Sequence, residues 1–194
     1  MLAAALAGVN GCVGRGAADV EETRLAMHTV VRCRAIAPDD ETARRAVEAA
    51  FGAIASAEKV ASYSVAGSEL VALNARGANG PVLVSPALAE LIALGETYAF
   101  ATDGWFDPTI GSVAELYGIK TGKPRWPSDA EVNTALANVG PGALVYNTEA
   151  GTAFFPRKGT KLDYSAIAKG WAVDKACLLY TSDAADDLLC VDLG

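Results

Sequence analysis

The segment GTKLDYSAIAKGWAVDKA, residues 159–176, governs the reading of the whole chain. A short apolar run ends on Asp163, a small-residue turn follows, and a helical pattern then carries Lys169 and Gly170. Where extended chain feeds a helix, the free backbone N–H groups of the helix start converge, and ligand groups collect there. Asp163 therefore has two readings: a ligand-binding carboxylate, or a cap and charge partner for the helix dipole. Ala166, Lys169, Gly170 and Val173 share one face at helical spacing. Glycine inside a helix costs ~1 kcal/mol relative to alanine, and one kept there permits close approach by backbone or ligand. Taken alone, Lys169 reads first as a solvated surface lysine, and Asp174 as helix-surface charge.

Upstream, residues 29–36, TVVRCRAI, alternate Val31, Cys33 and Ala35 with Arg32 and Arg34, the pattern of a half-buried strand. Pro38-Asp39-Asp40 turns the chain and supplies a helix cap. Ala43, Val47, Ala50, Phe51, Ile54 and Ala57 then recur at helical spacing, which predicts a long packed helix over 41–60. ELVALN reads as a short helix, VLVS as a short extended run, and Ser85-Pro86 as a helix start. Ser128-Asp129-Ala130-Glu131 is a capping box that opens a helix to about Asn138. ALVYNTEAGTAFF predicts a hairpin bent at residues 147–151, and a last helix is expected over about 166–178. Helices and strands alternate irregularly, with hairpins. The fold class expected is α+β, a mixed or antiparallel sheet with packed helices. No internal repeat, dinucleotide-binding glycine fingerprint or P-loop is present.

The chain has 194 residues, is 52% apolar and carries a formal net charge of −7. That is enough for one domain with a real core, or for part of a larger one. Its basic residues form no stripe, which argues against nucleic acid as a partner. The four cysteines, at 12, 33, 177 and 190, include no C-x-x-C, and His28 is the single histidine. Cys33 reads as a small buried hydrophobe. No stretch is long and apolar enough to span a membrane. The start, MLAAALAGVNGC, has three readings: the clipped end of a lipoprotein signal with Cys12 lipidated, an unusual complete start, or a leader. VGRGAADVEETR then reads as a short polar tether.

Two polar loops could meet a ligand. In GWFDPT, Gly104 and Pro108 fix the backbone around Trp105, Phe106 and Asp107. A rigid aromatic loop with one carboxylate suits a flat heterocycle with a polar edge, and equally an aromatic lid with Asp107 in an Asx turn. In SYSVAGSEL, Tyr63 could stack on a ring, bond through its hydroxyl, or simply hold the loop. Tyr117 and Trp126 read as packing residues.

Four segments together resemble the FAD:protein FMN transferase family: MHT at 27–29, SYSVAGSELVALN at 62–74, GWFDPTIGSVAELYGI at 104–119 and LDYSAIAKGWAVDKA at 162–176. They occur in the family's order, and the last two are specific. The resemblance implies a flavin transferase-like α+β fold that is incomplete at its C-terminus. It implies an Mg²⁺-dependent enzyme that passes FMN from FAD to a threonine or serine hydroxyl of an acceptor protein and releases AMP. A flavin-binding or trafficking protein without transferase activity is the alternative. Carried over by motif position, Met27, Tyr63, Trp105, Phe106, Asp107, Asp163 and Lys169 would contact FAD, and the carbonyl of Ala166 would help hold Mg²⁺. Many members are lipoproteins outside the cytoplasmic membrane, which implies a lipid anchor at Cys12 and a periplasmic or extracytoplasmic location.

The resemblance divides the chain into residues 1–26, a leader or signal remnant and tether; 27–176, the N-terminal part of the transferase-like domain; and 177–194, a suspect tail. The family has Met-Gly-Thr where this chain has Met27-His28-Thr29, and histidine cannot copy glycine's backbone freedom or small volume. The family also continues into a segment with further metal ligands. The last stretch, CLLYTSDAADDLLCVDLG, resembles translated sequencing-adapter sequence, or else reads as a helix end, a loop and a strand. The expectation is that the fragment alone is inactive in transfer.

Overall fold

In the computed structural model the described residues are 16–119, 122–181 and 188–193. Strands β1 (Ala18–Ala26) and β2 (Thr29–Ala37) form an antiparallel hairpin in which Ala26 faces Thr29. The two-residue loop between them is Met27-His28, with φ of 50° and 59°. Positive φ at both central residues is what a type I′ hairpin turn requires, one of the two turns whose twist matches that of the strands. β6 (Leu188–Leu193) pairs antiparallel with the other edge of β2, giving the order β1-β2-β6.

The expected tether is thus corrected, because residues 18–26 are a strand. The acidic residues that suggest a tether are the partners of the arginines on β2. Arg34 bonds Asp19 at 2.5 Å, and Arg32 lies 3.7 Å from Glu21. Cross-strand pairs of this kind are the unit of sheet stabilisation. Arg24 reaches Glu22 and Glu48 and lies 4.3 Å from the Phe51 ring centroid, tying β1 to the helix that follows.

That helix, α1 (Asp40–Ala61), is capped by Asp39, whose carboxylate accepts from the Thr42 N–H at 2.8 Å. It is followed by α2 (Glu69–Arg76), capped by Ser68; a 3-10 turn (Gly77–Asn79); β3 (Val82–Leu83); and α3 (Pro86–Ala101), capped by Ser85 with Pro86 in its first turn. Next come α4 (Gly111–Leu116), which sequence periodicity does not signal, and α5 (Asp129–Leu136), whose capping box between Ser128 and Glu131 is formed. The hairpin β4 (Val145–Asn147) and β5 (Thr152–Phe154) pairs through β5 with β3, a second sheet of order β3-β5-β4. α6 (Ala168–Thr181) starts two residues later than the periodicity suggests.

Two apolar cores result. One packs β1 and β2 on α1 through Val31, Cys33, Val47, Phe51 and Ile54. The other joins α2, α3 and α6 through Leu70, Leu73, Leu91, Tyr164 and Trp171. Met27 touches both cores, so the hairpin turn sits at their junction. Trp126, read as a packing residue, is 93% exposed, with an edge contact to Tyr117.

The expected membrane and lipoprotein placement is corrected. No helix among the described residues is long and apolar enough to cross a membrane. Cys12, the residue expected to carry a lipid, lies outside the described residues, as do residues 182–187 of the expected tail.

Candidate active site

Residues 161–163 form a short extended piece of chain between two partners. On one side is the loop leading into α4. There the Gly111 N–H donates to the Lys161 carbonyl at 3.1 Å, and the Asp163 N–H donates to the Pro108 carbonyl at 2.7 Å. On the other side is the Asn74 side chain, which accepts from the Leu162 N–H at 2.8 Å and donates to the Leu162 carbonyl at 2.9 Å. The backbone groups of an extended chain point alternately to either side, so the Lys161 carbonyl and the Asp163 N–H bond the loop while both groups of Leu162 bond Asn74. Asp163 is nearly buried, and its carboxylate accepts from the Ser165 N–H at 2.9 Å. α6 begins only at Ala168, so Asp163 closes the turn before the helix and is not its N-cap.

The aromatic turn meets this strand through Pro108. Asp107 accepts from both the N–H and the hydroxyl of Thr109, at 2.8 and 2.6 Å, and Thr109 in turn accepts from the Gly140 N–H at 2.8 Å. The Asx turn is therefore real, and it leaves Asp107 one further oxygen. Asp103 and Gly104, at φ of 52° and 79°, bend the chain into the turn. Phe106 packs edge-on against Tyr98 with centroids 6.3 Å apart, whereas Trp105 is 94% exposed.

Met27, Tyr63 and Lys169 line one cavity of about 430 Å³ with His28, Glu58 and Ser165. His28 Nε2 lies 3.3 Å from the Ser64 hydroxyl. The Tyr63 hydroxyl donates to the Gly111 carbonyl at 3.3 Å. Burial, then the nearby Glu115 carboxylate, pushes that hydroxyl well above the ordinary phenol range, so it stays protonated. Asp163 makes a smaller contribution in the same direction. Lys169 is exposed and has no ion-pair partner among the described residues. A methyl group added at Gly170 would meet nothing within 4 Å, so packing does not demand that glycine.

Asp107 faces a second depression of about 530 Å³, with Glu96, Pro108 and Gly142. Of the expected residues, Met27, Tyr63 and Lys169 thus line one cavity and Asp107 the other, and Trp105, Phe106 and Asp163 line neither. A larger apolar hollow of about 720 Å³, between α1 and α6, contains none of them. Asn74, Gly111, Glu115 and Lys161 were not singled out from sequence, although Asn74 ends the motif SYSVAGSELVALN.

The expectation of metal binding is corrected. Among the described residues no group of three or more His, Cys, Asp or Glu side chains could hold a metal ion. Ala166 is exposed in the turn before α6, and its carbonyl alone is no Mg²⁺ site, which needs several oxygen ligands.

With this geometry in place, the chain belongs to the ApbE family, whose model matches residues 27–194. It is 31% identical over 202 residues to the FAD:protein FMN transferase of Treponema pallidum, covering 100% of this chain and 55% of that protein. It is 26% identical over 125 residues to the protein of the same name from Klebsiella pneumoniae, covering 64% of this chain and 40% of that one. The crystal structure of the ApbE protein of Thermotoga maritima superposes with a TM-score of 0.83 at 27% identity, covering 91% of this chain and 57% of that one. The flavin transferase ApbE of Vibrio cholerae shares the fold, with a TM-score of 0.79 at 23% identity over 92% of this chain and 58% of that one. The chain spans about half the length of the curated relatives it matches. The resemblance read from the four motifs and the α+β fold class are both borne out.

Proposed function

We propose that this chain carries the FAD-binding part of an FAD:protein FMN transferase, which moves the FMN moiety of FAD onto a threonine or serine hydroxyl of an acceptor protein. The observation that carries this reading is the bond between Asp163 and Pro108. It brings the aromatic turn against the approach to α6, which supports reading Met27, Tyr63, Trp105, Phe106, Asp107, Asp163 and Lys169 as contacts of one extended ligand. FAD is such a ligand, with a flat ring at each end and a charged pyrophosphate between.

In the reaction the acceptor oxygen attacks the FMN phosphorus, the bond to the AMP oxygen breaks, and the hydroxyl proton departs. Lys169, exposed at the rim of its cavity, supplies positive charge for the pyrophosphate oxygens. Tyr63, its hydroxyl donating to the Gly111 carbonyl, offers a ring face. Trp105, open to solvent, is free to cover a ring. The resemblance implies Mg²⁺, but the described residues do not fit an Mg²⁺ site, and no step is assigned to a metal.

The test is titration of the chain with FAD, followed by quenching of flavin fluorescence. Saturable binding that FMN and AMP each compete for supports the reading. Absence of binding at millimolar FAD overturns it. Transfer to an acceptor peptide, detected as fluorescence retained on a denaturing gel, then separates a transferase from a flavin carrier.

A further inference from the structure

We infer that Asn74 is the positioning residue that sets Asp163 against the aromatic turn, and that its two bonds to Leu162 control FAD affinity. This rests on the flavin-binding reading above. The segment 161–163 carries Asp163 and leads into Ser165 and Lys169, yet among the described residues no strand pairs with it on the α2 side. There the Asn74 amide does what a neighbouring strand would do: it accepts from the N–H of Leu162 and donates to its carbonyl, at 2.8 and 2.9 Å. Asparagine is suited to this because its side chain carries an acceptor and a donor side by side, as a peptide unit does. Asn74 is itself held firmly, since Leu70 and Leu73 of the same helix are buried in the core. Leu162 is fully buried, so its backbone groups have no water to turn to if the amide is lost. One residue further on, the Asp163 N–H must point the opposite way, to Pro108. Fixing Leu162 therefore fixes the register of Asp163 against the turn that holds Asp107.

The experiment compares FAD binding by the unsubstituted chain, Asn74→Ala and Asn74→Asp, with amide hydrogen exchange at Leu162 and Asp163. Asn74→Ala is expected to weaken FAD binding about tenfold and to expose both amides to exchange. Asn74→Asp should also be weak near neutral pH, where a carboxylate faces the Leu162 carbonyl. It should recover toward the unsubstituted value as the pH falls to about 5, because a protonated carboxyl again offers one donor and one acceptor. Glu115 and Lys161, which line a cavity with Asn74, are present in all three proteins, so the ratio to the unsubstituted chain isolates position 74. A loss of stability alone would not produce recovery on acidification. If Asn74→Ala cannot be folded, Asn74→Asp alone decides. FAD binding unchanged in either soluble variant, or an Asp variant whose deficit ignores pH, overturns the inference while leaving the flavin reading intact. Failure of the unsubstituted chain to bind FAD overturns both.

Discussion

The backbone N–H of Asp163 donates to the carbonyl of Pro108, 55 positions earlier in the chain, at 2.7 Å. This one bond, with the Gly111–Lys161 bond beside it, holds the two most family-specific motifs side by side. Had they lain on opposite sides of the domain, no single dinucleotide could have touched both. Because the contact is made by backbone, side-chain substitutions in either motif can be used to separate folding from binding.

Asp107 is the first such case. Its carboxylate holds Thr109 twice, and Thr109 holds Gly140. Asp107→Ala should cost about 1–2 kcal/mol in urea denaturation, the usual loss for a part-buried, charge-assisted pair of bonds. Asp107→Asn keeps an acceptor for Thr109 and should cost less than half of that. If the asparagine variant is stable and binds FAD weakly, the charge itself serves the ligand. If it binds normally, Asp107 acts only through the turn.

Gly111 offers a stricter test of the contact between the motifs. A methyl group built on it would lie 2.7 Å from the Lys161 carbonyl oxygen and 3.0 Å from the carbonyl carbon, both backbone atoms that cannot swing aside. Gly111→Ala must therefore push α4 away from the Asp163 strand. The expected cost is about 1–3 kcal/mol of stability, as for other overpacked positions, together with weaker FAD binding. A variant with unchanged denaturation midpoint and affinity would show that this approach is not needed.

The sequence made the helices legible wherever a cap and a periodic apolar face coincide. Asp39, Ser85 and Ser128 all cap as their residue types suggest, because side-chain oxygens there satisfy N–H groups that nothing else can. β1 was hidden for two reasons. Four of its nine residues, Asp19, Glu21, Glu22 and Arg24, are charged, so its composition imitates a tether, and its turn is Met27-His28 rather than the Asn-Gly that advertises a primed hairpin turn. α4 was hidden by its six-residue length, too short to show a period. At the candidate site, the motifs single out Asp163, Tyr63 and Lys169, and the structure puts Tyr63 and Lys169 on one cavity. Asn74 could not be assigned a role, because its partner is backbone 88 residues away, and backbone partners leave no mark on composition.

Acid sensitivity can be assigned to a side chain outside the set proposed to bind FAD. The Ser128 backbone N–H, then the Arg125 guanidinium and the Ser128 hydroxyl, pull the Glu131 carboxyl from its ordinary 4.5 down to about 2. A carboxyl whose pKa is lower in the folded state binds fewer protons there than when unfolded. Its stabilising contribution is therefore complete above 4.5 and is lost as the pH falls toward 2. Glu131→Gln should flatten the stability profile across that window and leave FAD binding at neutral pH unchanged. An unaltered acid limb in denaturation profiles of the variant would assign the loss to other carboxylates.

Lys169 gives the cleanest separation of ligand binding from folding. It is exposed, and among the described residues it has no ion-pair partner, so Lys169→Ala should change stability by no more than about 0.5 kcal/mol. If its charge meets the pyrophosphate, the same substitution should weaken FAD about tenfold, the scale of one charge-assisted hydrogen bond. The affinity of the unsubstituted chain should also fall with added salt more steeply than that of the variant, since screening acts on the charge that the variant lacks. Riboflavin, which has no phosphate, should bind both proteins equally. A lysine on the solvated face alone would leave FAD affinity and its salt dependence the same in both proteins, and the pyrophosphate would then have to be held by other groups.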